Sequence, residues 1–316
     1  MILNKVFIGI DTSNYTTSVA VSDFEGNILA NLKKPLPVKE GERGLRQSDA
    51  VFHHTAALPD LLSEARELVR DKTIAAVGVS AKPTDREGSY MPCFLSGVSA
   101  AGGVSLGADC RVYSFSHQCG HIMAALYSAG ELSLVGERFV AFHVSGGTTD
   151  MLLCEKGDSQ RPFTVTKIGG TLDINAGQAI DRAGVYMGLR FPCGPELEKL
   201  ASAFEGKIKK EKLCVKGLSC NLSGLENKVI KMYDGGASKE ETAALVIDFI
   251  TRTLLCLTEN LRAEYGDIPI VYAGGVMSCS IIKNSLLRFG SFAQPMFSAD
   301  NAAGIALLAR RSYLSE

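Results

Sequence analysis

The sequence holds little that would mark a membrane-spanning, exported or nucleic-acid-coating protein. It has no uncharged apolar run of about 18 residues, which excludes a helical membrane span. Its opening residues reach Asp11 after a short apolar run and carry neither a basic start nor a small-residue cleavage site, so no secretory leader is predicted. Neither sign of charge dominates. With 33 basic against 34 acidic residues the net charge is -1, which excludes chain-wide electrostatic binding of nucleic acid and leaves only local patches. The nine cysteines form no Cys-x-x-Cys pair, and their odd number, spread through apolar segments, predicts reduced thiols and a cytoplasmic protein. Histidine is scarce, with five in 316 residues, so two of them close together carry information.

What is present is ordinary for a globular protein: 46% hydrophobic and 21% charged residues. The length exceeds that of a single core and predicts two lobes. His117 and His121 stand four apart where a helical pattern begins, after a short strand over 111–114, and Gly130 is a suitable stop. Four-residue spacing on a helix puts both imidazoles on one face, about 5–6 Å apart at Cβ, which suits two ligands of one metal ion. A metalloprotease of the His-Glu-x-x-His kind is excluded, because the position that needs a general base holds Gln118.

Two stretches read as β-hairpins with hydroxyl-rich tips, one through Asp11-Thr12-Ser13-Asn14-Tyr15-Thr16-Thr17 and one through Val144-Ser145-Gly146-Gly147-Thr148-Thr149. Laid over each other at an offset of 132 residues they share Ser, Thr and Thr in register, so the chain reads as duplicated. Small and hydroxyl residues at such tips let backbone N–H groups face an anion, which predicts a phosphate cleft.

Between and beyond the hairpins, residues 33–47 read as an exposed excursion. Residues 48–69 read as a helix interrupted at Pro59, 74–79 as a buried strand, and 93–106 as a helix. Helices are predicted over 176–187, carrying Asp181, over 196–204, and over 240–264. The stretch 206–216 is locally basic, with lysines at 207, 209, 210, 212 and 216, and reads as a solvated face or an RNA contact. A strand over 268–273, then Gly274-Gly275-Val276 and a helix over 280–288, forms a nucleotide-binding corner. Asp300 precedes a last small-residue helix over 302–310, where it would cap the helix or ligate a metal.

Five blocks in this order resemble the TsaD family, once named O-sialoglycoprotein endopeptidases: Gly9-Ile10-Asp11-Thr12-Ser13, His117-x-x-x-His121, Val144-Ser145-Gly146-Gly147, Ala273-Gly274-Gly275-Val276 and Asp300-Asn301. The resemblance implies an α/β, two-lobed, actin-like and heat-shock-ATPase-like fold with a duplicated core. Its first lobe would be residues 1–130 completed by 296–316, and its second 131–295. It implies transfer of a threonylcarbamoyl group from its adenylate to the tRNA adenosine beside the anticodon. It further implies ATP or an acyl-adenylate as ligand and one divalent metal, iron or zinc, on His117, His121 and Asp300.

The implied substrate and nucleotide contacts are Asp11, Thr12, Ser13, His143, Val144, Ser145, Gly146, Gly147, Asp181, Gly194, Gly274, Gly275 and Cys279, with no covalent nucleophile. The implied partners are tRNA and either the subunits of a threonylcarbamoyl-transfer complex or a second copy. The chain departs from the family pattern at four places. Ser80-Ala81-Lys82-Pro83-Thr84 stands near the position of a Gly-Pro-Gly, Thr148 replaces a histidine, Cys279 an asparagine, and Glu226 a lysine. These departures mark a divergent paralogue, for which a nucleotide-binding scaffold or a carbamoyltransferase with another acceptor is the alternative function.

Overall fold

The computed structural model describes residues 4–13, 15–37, 45–158, 161–298 and 302–316. It divides into two compact units: Met1–Glu137 with Glu155–Val165 and Met296–Glu316, and Arg138–Cys154 with Thr166–Pro295.

In the first unit a meander of β1 (Lys5–Asp11), β2 (Thr16–Asp23) and β3 (Ile28–Pro35) is followed by α1 (Gln47–Leu68), β4 (Thr73–Lys82), α2 (Phe94–Ala108), β5 (Arg111–Ser116) and α3 (His117–Ala129). The sheet order is β3-β2-β1-β4-β5, with β1 antiparallel to β2 and parallel to β4. β1 is buried along nearly its whole length, because helices cover both faces of the sheet, and it therefore reads as a continuous apolar run. On one face Val6, Ile8, Ile10, Val77 and Val79 pack with Leu58, Leu61 and Ala65 of α1 and Ala101 of α2. That burial, about 1.5–3 kcal/mol for each large side chain, carries α1 through Pro59 without interruption.

The other face is covered by the last helix of the chain, α10 (Ala303–Leu314). It lies so close that glycine is required at Gly9 and Gly78, which are register partners. A Cβ on Gly9 would run into the backbone of Ala302 and Ala306, and one on Gly78 would come 2.6 Å from the carbonyl oxygen of Ile305.

The second unit contains β6 (Phe139–Val144), β7 (Thr149–Lys156) as far as Cys154, β8 (Phe163–Thr171) from Thr166 on, α4 (Ala176–Tyr186), α5 (Gly194–Ser202), β9 (Val215–Lys216), β10 (Ser219–Cys220) and α6 (Gly224–Asp234). It continues through α7 (Lys239–Tyr265), β11 (Ile270–Ala273), α8 (Ser280–Leu286) and β12 (Ser291–Phe292), and α9 (Pro295–Ser298) follows. The sheet order is β12-β11-β6-β7-β8-β10-β9. The core gathers on α7, whose N-terminus is capped by Ser238 Oγ accepting from the N–H of Glu241 at 3.1 Å and carries Glu240 and Glu241 in its first turn.

The run β8-β7-β6-β11-β12 repeats β3-β2-β1-β4-β5 strand for strand, with β6 antiparallel to β7 and parallel to β11. The register repeats as well. Moving the pair Asp11↔Ser18 along by 132 residues gives His143↔Asp150, which is a pair in the second hairpin. The duplication read from the two tips is therefore a property of both sheets. Among the described residues no helix is long and apolar enough to cross a membrane.

The exposed excursion expected over 33–47 is corrected in part. Residues 33–35 belong to β3, which pairs with β2 along the sheet edge, and 38–44 lie outside the described residues.

Candidate functional site

The first unit assembles a buried carboxylate and imidazole cluster. β1 ends in Asp11, which is fully buried, and its two carboxylate oxygens take four donors. Oδ1 accepts from the Ser13 N–H at 2.8 Å and from the Ser13 hydroxyl. Oδ2 accepts from Ser80 Oγ at 2.5 Å and from His117 Nδ1 at 2.8 Å. Burial alone would push this carboxyl up, but the electrostatic pull of the adjacent His117 ring and the hydrogen bonds from His117, Ser13 and Ser80 outweigh it and hold Asp11 well below the usual carboxylate range.

An ionised carboxylate only accepts, so the proton of His117 sits on Nδ1 and the lone pair of the neutral ring on Nε2. Nε2 lies 3.5 Å from Ser13 Oγ. The His121 ring stands edge-on to that of His117, with centroids 4.3 Å apart and planes at 79°.

The helix carrying both histidines is fixed at its start. Ser116 is the N-cap and accepts from the Cys119 N–H at 3.3 Å. Asp85 accepts from Ser116 Oγ at 3.0 Å and from Cys119 Sγ at 3.2 Å, and pairs with Lys82 at 3.0 Å. Gln118, the residue that excluded a protease, donates its backbone N–H to Pro83 O at 3.1 Å. Gly130 closes the helix in the left-handed region at φ 77°.

The fit to a metal is that of a carboxylate-oriented imidazole with a second imidazole beside it, which is the donor chemistry of a zinc or iron site. Among the described residues no group of three or more His, Cys, Asp or Glu could hold a metal ion, and the expected third ligand, Asp300, lies outside the described residues.

Three of the expected nucleotide contacts in this unit, Asp11, Thr12 and Ser13, are hydrogen-bonded within it. Asp11 orients His117. Thr12 is fully buried and its hydroxyl donates to Cys93 O at 2.9 Å while accepting from the Gly97 N–H at 3.1 Å. Ser13 gives both its N–H and its hydroxyl to Asp11. Among the described residues of this tip, the Thr12 hydroxyl and the N–H and hydroxyl of Ser13 are taken up by Asp11 and the start of α2.

In the second unit a cavity of about 380 Å³ is lined by Gly146, Gly177, Ile180, Asp181, Pro192, Gly194, Pro195, Glu198, Ile247, Gly275, Val276, Ser278 and Cys279. Its size and its mix of apolar walls with few polar groups suit a small organic ligand. Of the expected contacts, Gly146, Asp181, Gly194, Gly275 and Cys279 line it. Val144, Ser145 and Gly274 build its support. Gly274, at φ 104°, packs against the backbone of Val144.

Ser145 Oγ accepts from the N–H groups of Gly147 at 3.2 Å and Thr148 at 3.1 Å, and the two hydroxyls of Ser145 and Thr148 lie 2.9 Å apart. Two of the amides at this tip are thus satisfied from within. The start of α4 is occupied too, since Ala176 N–H donates to Thr149 Oγ1 at 2.8 Å and Gly177 N–H to Ser145 O at 3.1 Å. His143, half-buried on β6, faces Asp150 across the hairpin register.

Asp181 accepts from the Cys193 N–H at 2.8 Å, and burial, only partly offset by that bond, pushes its carboxyl up. Glu198, which no motif announced, takes the Ser280 N–H at 2.7 Å and the Ser280 hydroxyl at 2.5 Å and so caps α8. Burial pushes the Cys279 thiol up as well. Sequence reading also missed Asp85 and Ser80. Their signal is their position at the end of β4 and just beyond it: Ser80 opens the stretch 80–84 that departs from the family's Gly-Pro-Gly, and Asp85 follows it.

Residues 28–307 match a family model described as TsaD, tRNA N6-adenosine threonylcarbamoyltransferase. The chain is similar to a tRNA N6-adenosine threonylcarbamoyltransferase of Archaeoglobus fulgidus, 28% identical over 271 residues that cover 86% of this chain and 78% of that one. It is similar to the protein of the same name from Thermosipho africanus, 27% identical over 325 residues covering 98% and 94%. Among solved structures it resembles full-length HypF in its phosphate- and nucleotide-bound form, with a TM-score of 0.58 at 12% identity, covering 98% of this chain and 47% of that one. That likeness concerns the fold, and with the repeated strand order it makes this an α/β chain of the actin-like, heat-shock-ATPase-like class.

Proposed function

The chain belongs to the TsaD family of tRNA N6-adenosine threonylcarbamoyltransferases, and from that premise we propose that it moves a threonylcarbamoyl group from its adenylate to the tRNA adenosine beside the anticodon. A nucleotide occupies the second unit's cavity, and one iron or zinc ion is held by His117, His121 and Asp300. The observation that carries the reading is the Asp11 to His117 hydrogen bond. A buried carboxylate that fixes the tautomer of a half-buried imidazole, beside a second imidazole, has a clear use in presenting Nε2 to a metal. When bound, the metal supplies Lewis-acid polarisation of a substrate oxygen.

The chain's own residues do the rest. Asp11 and Ser80 hold His117 in one orientation, and Asp85 and Ser116 hold the start of α3. In the cavity, Ile180, Pro192, Ile247 and Val276 give an apolar slot suited to a base, while Asp181 and Glu198 are acceptors suited to ribose hydroxyls. The transfer forms one N–C bond from the adenosine amine and breaks the C–O bond to the adenylate phosphate. AMP leaves with the electron pair, and the amine loses a proton. Positioning is the main requirement. Cys279, the only cysteine lining the cavity, is kept protonated by burial, so no covalent nucleophile is assigned.

The test is incubation of the purified chain with an unmodified tRNA transcript and a threonylcarbamoyl-adenylate source, followed by nucleoside mass analysis. Threonylcarbamoyladenosine is expected, together with about one metal per chain that disappears in His117→Ala and His121→Ala. Absence of the nucleoside with nucleotide still bound moves the assignment to a nucleotide-binding scaffold.

A further inference from the structure

Resting on the tRNA reading above, we propose that the segment 205–216 of the second unit is a rail that binds the phosphate backbone of the RNA. Its five lysines, Lys207, Lys209, Lys210, Lys212 and Lys216, are all exposed. The two acids in the segment do little to offset them. Glu205 is exposed, and the carboxylate of Glu211 is engaged by Lys228 at 2.6 Å, with Lys209 more distant at 3.7 Å. Among the described residues Lys207, Lys210, Lys212 and Lys216 form no ion pair.

A run of lysines is ordinarily a solvated face, but this one stands on a fixed frame. Ile208, Leu213 and Val215 pack against the core of the unit. Both terminal nitrogens of Arg252 donate to Glu211 O at 3.1 Å, and Arg252 is itself set by Asp248 at 2.7 Å. β9 then pairs with β10, Lys216 opposite Ser219. The ammonium groups are thus presented from one place without the ordering cost of a free tail. The segment contains no aromatic residue, so it offers charge without a stacking surface. That is the chemistry of backbone positioning, as opposed to base reading. In a chain of net charge -1 the patch is local, as a docking rail must be.

The experiment uses the full chain and a fluorescently labelled tRNA transcript, with binding read by anisotropy across a salt series. The variant replaces four lysines, Lys207→Gln, Lys209→Gln, Lys210→Gln and Lys212→Gln. A double variant, Lys210→Gln with Lys212→Gln, guards against a folding defect, and Lys34→Gln with Lys156→Gln is the charge-matched control for that double variant.

Each lost phosphate contact lowers the salt slope by about 0.7–0.9. The fourfold variant is therefore expected to lose about 3–3.5 from the slope and at least about tenfold in affinity at moderate salt, and the double variant about half that slope. The control pair and nucleotide binding should stay unchanged. If the wild type binds tRNA and the fourfold variant keeps its slope, the rail is overturned while the transferase reading stands. An equal drop in the control and double variants overturns the rail as well, because any surface lysine would then serve. If the wild type binds no tRNA, the rail and the tRNA reading both fail.

Discussion

Asp11 and His117 show how one side chain acquires its role from distant parts of the chain. The partners of the Asp11 carboxylate are Ser13, Ser80 and His117, which lie 2, 69 and 106 residues away. The block Gly9-Ile10-Asp11-Thr12-Ser13 was legible as a functional motif, yet its chemistry was not, because only the fold brings Ser80 and His117 to the end of β1. We expect Asp11→Asn to keep the fold, since an amide can still accept one hydrogen bond from the cluster. It removes the charge that fixes the proton on Nδ1, and metal affinity should fall about 10- to 100-fold, as for loss of other partners of a ligating histidine. Competition against a chromophoric chelator measures this directly, and unchanged affinity would remove Asp11 from the metal site.

At the scale of elements, what was legible follows how strongly a segment advertises its buried face. α7 was read almost to its ends, because its apolar period is long and both termini carry caps. α6 was missed because only Leu225 and Val229 of its eleven residues are buried. β3 was missed because it is an edge strand with Lys and Asn in it, and β8 because Thr, Lys and two glycines break any apolar run.

The most exacting contact between elements is the crossing of α3 and α10. A Cβ on Gly304 would run into the carbonyl oxygen of Gly120, the residue beside His121. Gly304→Val should force the helices apart and cost about 1–3 kcal/mol or more by overpacking, lowering the Tm by several degrees. A thermal melt reads the effect. An unchanged Tm would mean that the two helices can separate without loss, and the close crossing would then say nothing about how α3 is held.

On the scale of the whole molecule the two sheets are copies in strand order and in register, yet the final helix is packed on the first of them. The sequence showed the copy through the two hairpin tips, since the shared Ser, Thr and Thr survive at a fixed offset. Composition alone does not reveal where a small-residue helix docks, and the assignment of 296–316 to the first lobe came from the family resemblance. In the structure α10 packs on β1 and β4. Seven consecutive residues of α10, Ala303 to Ala309, are buried, and a helix apolar all round has to be enclosed. Ile305, Leu307 and Leu308 contribute about 1.5–3 kcal/mol each, a sum comparable with the roughly 5–15 kcal/mol that holds a whole domain folded.

A chain truncated after Asn301 should therefore lose the first unit selectively, because the face carrying Gly9, Ala20 and Gly78 would be left open to water. Hydrogen exchange followed by mass spectrometry separates the outcomes. Amides of β1 and β4 should exchange rapidly while those of β6 and β11, which rest on the α7 core, stay protected. Protection retained in both sheets would make α10 an accessory, and protection lost in both would mean that the two copies fold as one cooperative body.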